Sequence, residues 1–208
     1  ADKVENNIID LVESEIKDRI QNTNFYNAKI LRTSAKNNVG IDLLKKEIIN
    51  LSENVEKIVD RGFFYMPIDR VFSKTGFGTI ATGTVLSGKL KSNSEIIILP
   101  EQNNATVRSF QTHGETTETI KAGDRAAINF SSVEQEKLKR GSVLAIKNQI
   151  APTSKIIVNI KMIENNNWMI KDKQLVHIHI GTSQVIAKVI TFGIKILPGQ
   201  SANVLLDL

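Results

Sequence analysis

The sequence predicts a mainly β protein: an antiparallel β-barrel, then part of a second barrel, both preceded by an α/β segment. Three observations predict it. A helical apolar period is confined to the part of the chain before Ser52. After Gly62 it gives way to short β-branched or apolar runs divided by Gly, Asn, Ser and Asp. Strands that are many, short and closely spaced fit an antiparallel barrel or sandwich. The zones fall at 1–60, 61–150 and 151–208.

In the first zone Val4, Ile8, Val12, Ile16 and Ile20, with Ile9 and Leu11 beside them, lay one stripe along a helix. Ala28–Thr33 reads as a short strand. Gly40 then breaks the chain, and Ile41, Leu44, Ile48 and Leu51 mark a second amphipathic helix. One strand cannot make a parallel sheet, so this zone is expected to end a larger α/β layer. Residues 52–62 are polar, finish in glycine and suit a linker.

In the second zone Phe64, Met66 and Ile68 alternate with Phe63, Tyr65 and Pro67 in an extended segment. Runs at 79–86, 95–99, 106–111 and 125–130 follow, with turns at Ser87-Gly88, Ser92-Asn93-Ser94, Asn103-Asn104 and Gly123-Asp124. Ala151-Pro152-Thr153-Ser154 marks the next boundary. The runs at 155–163, 175–180, 185–191 and 202–206 are again strand-like. The last residues stop within a strand pattern, so the second barrel is expected to be incomplete.

At 208 residues with 41% apolar and 24% charged side chains, the composition is that of a globular protein, which sets aside disordered and collagen-like classes. No apolar run reaches the roughly 18 residues of a membrane helix, so no membrane partner is expected. The absence of cysteine removes disulfides, thiolate zinc sites and a cysteine nucleophile together. It fits a cytoplasmic location, although secreted proteins can also lack cysteine. The charged opening Ala1-Asp2-Lys3-Val4-Glu5 is unlike a signal peptide. Without an initiator Met the chain reads as a fragment, or as one whose Met was removed before Ala1. A net charge of +5 fits a polyanionic partner such as RNA, and equally an ordinary solvated surface.

Ser34-Ala35-Lys36, between a strand and a glycine-led helix, resembles the last guanine-contacting motif of the translational GTPases. Asp2 would then end that family's Asn-Lys-x-Asp motif, its carboxylate accepting purine N–H groups; otherwise it is a charged terminal residue. The phosphate loop Gly-x-x-x-x-Gly-Lys-Ser/Thr is not in the sequence, so no catalytic residue and no GTP turnover are expected of this chain.

The stretch Asp69-Arg70-Val71-Phe72-Ser73-Lys74-Thr75-Gly76-Phe77-Gly78-Thr79 looks like the opening hairpin of the second domain in the elongation factor Tu family. The glycines suit a tight turn, and Gly83 within the following strand suits a bulge or a close backbone approach. Pro67–Phe72, Lys121–Phe130 and Leu175–Ser183 resemble the selenocysteine-specific branch of that family, in the same order along the chain. The resemblance implies GTP and Mg2+ as cofactors of a full-length parent, with none for this chain. It implies selenocysteyl-tRNA and the ribosome as partners, GTP-dependent delivery of that tRNA, and a cytoplasmic location. Ordinary elongation factor Tu, the γ subunit of the archaeal initiation factor and a plain RNA- or ribosome-binding barrel are the alternatives.

By the same resemblance Asp69, Arg70 and Arg125 form the pocket for the selenocysteyl end. A selenol ionises more readily than a serine hydroxyl, and arginine offers an anion a fork of permanently charged donors. Asp69 would hold an arginine in position. Neighbours on a regular strand face opposite sides, so Asp69 and Arg70 share a pocket only if the strand ends or bulges there; otherwise one of them makes a surface ion pair. His177 and His179 share a strand face but lack a third ligand, so no metal site is assigned. His113 is expected in a turn, and Trp168 is expected to anchor a loop over the second barrel.

Overall fold

The computed structural model describes residues 2–55, 60–131, 133–164 and 166–208. Ala1, the linker residues 56–59 and Asn165, on which parts of the sequence expectations rest, lie outside them. The chain divides into two compact units, Ala1–Lys57 and Ile58–Leu208.

The first unit holds α1 (Asn6–Ile20) and α2 (Ile41–Glu53). The apolar stripe of α1 is formed as expected, yet no residue of either helix is buried. Ion pairs Lys17–Glu13 and Arg19–Glu15, each one turn apart, line the polar side of α1. The strand expected at 28–33 is not formed. A strand exists through its hydrogen-bonded neighbour, and no strand among the described residues pairs with this segment. Side chains tie it down instead: Arg32 bonds Asp10 at 2.6 Å, and Lys29 bonds Glu47 at 2.6 Å. Gly40 has φ +69°, and a Cβ there would stand 2.2 Å from the Arg32 carbonyl oxygen, so only glycine lets α2 begin this close to the segment.

The second unit is all β, apart from a 3-10 turn at Gln135–Lys137. Its first part comprises β1 (Tyr65–Lys74), β2 (Gly78–Thr84), β3 (Lys89–Lys91), β4 (Glu95–Leu99), β5 (Asn103–Thr112), β6 (Glu115–Thr117), β7 (Thr119–Lys121), β8 (Arg125–Phe130) and β9 (Val143–Ala145). The order β4-β9-β1-β2-β8-β5 returns to β4, which closes a six-stranded antiparallel barrel, and β6 hangs from β5. Phe64, Met66, Ile68, Ile98, Phe110, Ile128 and Leu144 fill it. The short β3–β7 ribbon turns Leu90 and Ile120 into the same core.

β3, β6, β7 and β9 are only three residues long, too short for an apolar alternation to stand out, which is why periodicity does not mark them. Asn103 and Asn104 are not a turn but the start of β5, paired with Ile98 and Ile97. The turn falls one step earlier, where Gln102 takes φ +62°.

The second part has β10 (Lys155–Lys161), β11 (Gln174–Ile180), β12 (Ser183–Ile190) and β13 (Ser201–Asp207) in one open antiparallel sheet of order β10-β13-β12-β11. Ile156, Val158, Val176, Ile178, Ala187, Val189, Val204 and Leu206 gather on one face as its core. Trp168 does not anchor a loop by burial: 73% of it is exposed. The loop is held through backbone instead, the Trp168 N–H donating to Asn166 Oδ1 at 2.8 Å.

Candidate functional site

Asp69 is where the alternation of β1 fails. Ile68 stands opposite Gly83 and Arg70 opposite Thr82, so β1 advances two residues while β2 advances one. Asp69 is the extra residue, a β-bulge. Ile68 is fully buried and Val71 packs against the same core. Residues three apart on an unbroken strand would face opposite sides. The bulge therefore leaves Asp69 and Arg70 together on the outer face, Asp69 partly covered and Arg70 exposed. Gly83 permits this: a Cβ there would lie 2.1 Å from the Pro67 carbonyl oxygen.

Arg125 opens β8 opposite Thr84 of β2. Its Nη1 lies 2.7 Å from Asp69 Oδ2, with 56% of the arginine side chain and 22% of the aspartate exposed. Thr82 Oγ1 donates to Asp69 Oδ1 at 2.6 Å. Burial pushes the Asp69 carboxyl up, but the bonds from Thr82 and Arg125 and the charges of Arg125 and Arg70 outweigh it, leaving the group below the ordinary carboxylate range. Two guanidinium charges thus bear on one carboxylate.

Arg125 and Thr82 also line a hollow of about 300 Å3 with Gln111, His113 and Gly114, whereas Asp69 and Arg70 lie outside its lining. His113 sits in the β5–β6 turn at φ +52°, followed by Gly114 at +86°, as a two-residue hairpin of left-handed residues requires. Gln111 and Ala127 are shared with a second hollow of about 270 Å3, walled by Phe72, Phe77, Ile80, Lys74 and Asn129. Lys74 Nζ stands 4.7 Å over the Phe77 ring. Asn129 is only 7% exposed, and its Oδ1 has no hydrogen-bond partner among the described residues. Sequence reasoning did not single out Thr82, Gln111 or Asn129 for this site. Each stands on a barrel strand whose neighbours only closure reveals, and no motif marks them.

In the first unit Ser34 Oγ donates to Asp2 Oδ1 at 2.6 Å and accepts from the Asn37 N–H at 3.2 Å. The bond from Ser34 is the main cause that holds the Asp2 carboxyl below its ordinary range. Ser34 pairs with Val39, so Ala35 and Lys36 occupy an exposed tight turn. Residues far apart in sequence are joined here. Ser34 is buried, so the serine of the motif fixes the carboxylate while Ala35 and Lys36 stay accessible.

Among the described residues no group of three or more His, Cys, Asp or Glu side chains could hold a metal. His177 and His179 are exposed on β11, and His177 Nδ1 is 3.0 Å from Gln184 Nε2. No described helix is long and apolar enough to cross a membrane.

Residues 78–145 match the model of the family described as elongation factor Tu domain 2. A selenocysteine-specific elongation factor of Desulfomicrobium baculatum is 33% identical over 203 residues, covering 97% of this chain and 32% of that protein. One from Methanocaldococcus jannaschii is 33% identical over 186 residues, covering 88% of this chain and 40% of that protein. The chain therefore spans well under half the length of these relatives. The crystal structure of translation elongation factor SelB from Methanococcus maripaludis in its apo form superposes with a TM-score of 0.77 at 30% identity, over all of this chain and 48% of that one. A bacterial selenocysteine-specific elongation factor, at 23% identity and a TM-score of 0.80, shares the fold. The closed barrel has the elongation factor Tu domain 2 fold, with residues 78–145 matching that family, in a chain similar over nearly all its length to a segment of the selenocysteine-specific elongation factors.

Proposed function

We propose that this chain is the part of a selenocysteine-specific translation factor that grips the charged amino acid of selenocysteyl-tRNA, on the outside of the closed barrel. The ion pair of Arg125 with the Asp69 carboxylate, beside the exposed Arg70 on the same outer face, carries this reading. A carboxylate that orients a guanidinium while leaving much of it exposed creates a cationic spot ready for an anion. An ionised selenol about 4 Å from an arginine gains roughly 4 kcal/mol at an effective dielectric near 20, before desolvation is subtracted. A seryl hydroxyl, being neutral, gains far less. The neighbouring hollow supports the same reading. Aromatic walls with an unpartnered buried amide oxygen suit a nucleobase at the end of the tRNA.

The parts 1–60, 61–150 and 151–208 are then the end of a GTPase domain with its linker, domain 2, and part of domain 3. Asp2 and the Ser34-Ala35-Lys36 turn fit a guanine: the carboxylate is prepositioned by Ser34, and the turn is exposed beside it. GTP bound there in the parent would control release of the tRNA. The described residues supply no ligand set for Mg2+. Delivery to the ribosome, in the cytoplasm, completes the reading.

The test uses the full-length protein carrying this chain, loaded with GTP, and one tRNA body charged with selenocysteine, charged with serine, or deacylated. Preference for the selenocysteyl form that shrinks in Arg125→Ala is the expected result. Equal affinity for all three forms overturns the reading in favour of a plain RNA-binding barrel.

A further inference from the structure

The bulge that creates the cationic spot is held from outside the barrel. Ile68, next to the bulged Asp69, turns its backbone groups toward the residues that precede β9. Its N–H donates to the Ser142 carbonyl at 2.8 Å, and its carbonyl accepts from the Gly141 N–H at 3.0 Å. The same carbonyl accepts a second bond, at 2.7 Å, from Thr182 Oγ1. Thr182 belongs to the tip of the β11–β12 hairpin in the other sheet. Its neighbours seat that tip at two further points. A Cβ on Gly181 would stand 3.5 Å from the Pro67 ring, and one on Gly141 would stand 3.0 Å from Ser183.

We propose that Thr182 is a positioning residue: its hydroxyl, bonded to the Ile68 carbonyl, holds the β1 bulge at the register that sets Asp69 and Arg70 beside Arg125. The second sheet thereby controls how tightly the amino-acid site on the first barrel is assembled. If the hydroxyl is lost, the Gly141 bond still serves the carbonyl, so the barrel stays folded while the bulge is free to shift. Asp69 then draws away from Thr82 and Arg125. The effect on selectivity rests on the function proposed above, whereas the hold on the bulge does not.

Thr182→Val, Thr182→Ala and Thr182→Ser are compared in the full-length protein. One readout is the titration of the Asp69 side-chain carboxyl, followed by 13C NMR of aspartate-labelled protein and assigned with Asp69→Asn. The other is the ratio of affinities for selenocysteyl- and seryl-tRNA. In Thr182→Val the Asp69 midpoint is expected to rise toward an ordinary aspartate and the ratio to fall about three- to tenfold, the range of one hydrogen bond. Thr182→Ser, which keeps the hydroxyl, is expected to match the wild type in both. If Thr182→Val does not fold, Thr182→Ala is read in the same way. An unmoved Asp69 midpoint overturns the proposal, as does an unmoved ratio in a protein that prefers selenocysteyl-tRNA. If the midpoint moves but the wild type shows no such preference, the positioning role stands and the proposed function fails.

Discussion

The Asp69 carboxylate reaches over an entire strand to meet Arg125. β2 runs between β1 and β8, yet Arg125 Nη1 and Asp69 Oδ2 are 2.7 Å apart, with Thr82 of the intervening strand bonded to the other carboxylate oxygen. The pair thus spans three strands on the barrel's outer surface, and its geometry depends on the register of both ladders.

Arg125→Ala is expected to reduce the preference for selenocysteyl- over seryl-tRNA by about ten- to a hundredfold. That is the range of a hydrogen bond to a charged group, about 1.5–3 kcal/mol. Arg125→Lys should recover only part of it, since an ammonium lacks the planar fork. Equilibrium binding of the two charged forms of one tRNA measures both.

Asp69 gives a pH dependence of known sign. Its folded pKa is depressed, so its stabilising contribution is present above the unfolded value, near 3.9, and is lost as pH falls through the folded value. Asp69→Asn should therefore be less stable than the wild type at pH 7, and the difference should shrink as the pH is lowered below about 4. Urea denaturation at the two pH values reads this out. A gap that does not change with pH would mean that the pair contributes nothing.

Gly83→Ala is expected to destabilise the barrel by about 3 kcal/mol, because the new Cβ would collide with the Pro67 carbonyl oxygen. Gly76→Ala serves as the contrast. Nothing lies within 4 Å of a Cβ there, but φ is +80°, so the cost should be limited to about 1–2 kcal/mol of left-handed strain. Thermal denaturation of the two variants should separate them.

Ser34→Ala removes the hydrogen bond that is the first cause of the depressed Asp2 carboxyl. The Asp2 midpoint should rise toward the ordinary aspartate value, as read by carboxyl 13C titration. In the parent protein guanine-nucleotide affinity should weaken with it.

Several elements are legible in the sequence because their cause is local. The stripe that runs through Ile8, Val12, Ile16 and Ile20 is a helix because apolar residues recur every fourth position. β4, β8 and β11 follow from alternating or continuous apolar runs bounded by turn residues. Gly83 announces a close approach because a glycine inside a strand has few other uses. Three-residue strands such as β9 are illegible, because they are strands only by virtue of the partners they meet. The segment 28–33 is the converse: its residues favour a strand, and without a described neighbour it is none.

From the residues alone it follows that the chain is mainly β and where its two helices lie, and the family resemblance adds Asp69, Arg70 and Arg125 as candidates for an amino-acid pocket. That Asp69 pairs with Arg125 across β2, with Arg70 on the same outer face, follows from the folded chain and not from any local pattern. The register shift at Asp69, closure of the barrel that brings β8 beside β2, and the hydroxyl of Thr182 on the Ile68 carbonyl are all long-range pairings. A side chain's direction on a strand follows a local period of two, but which strand lies beside it is set by the closed ladder.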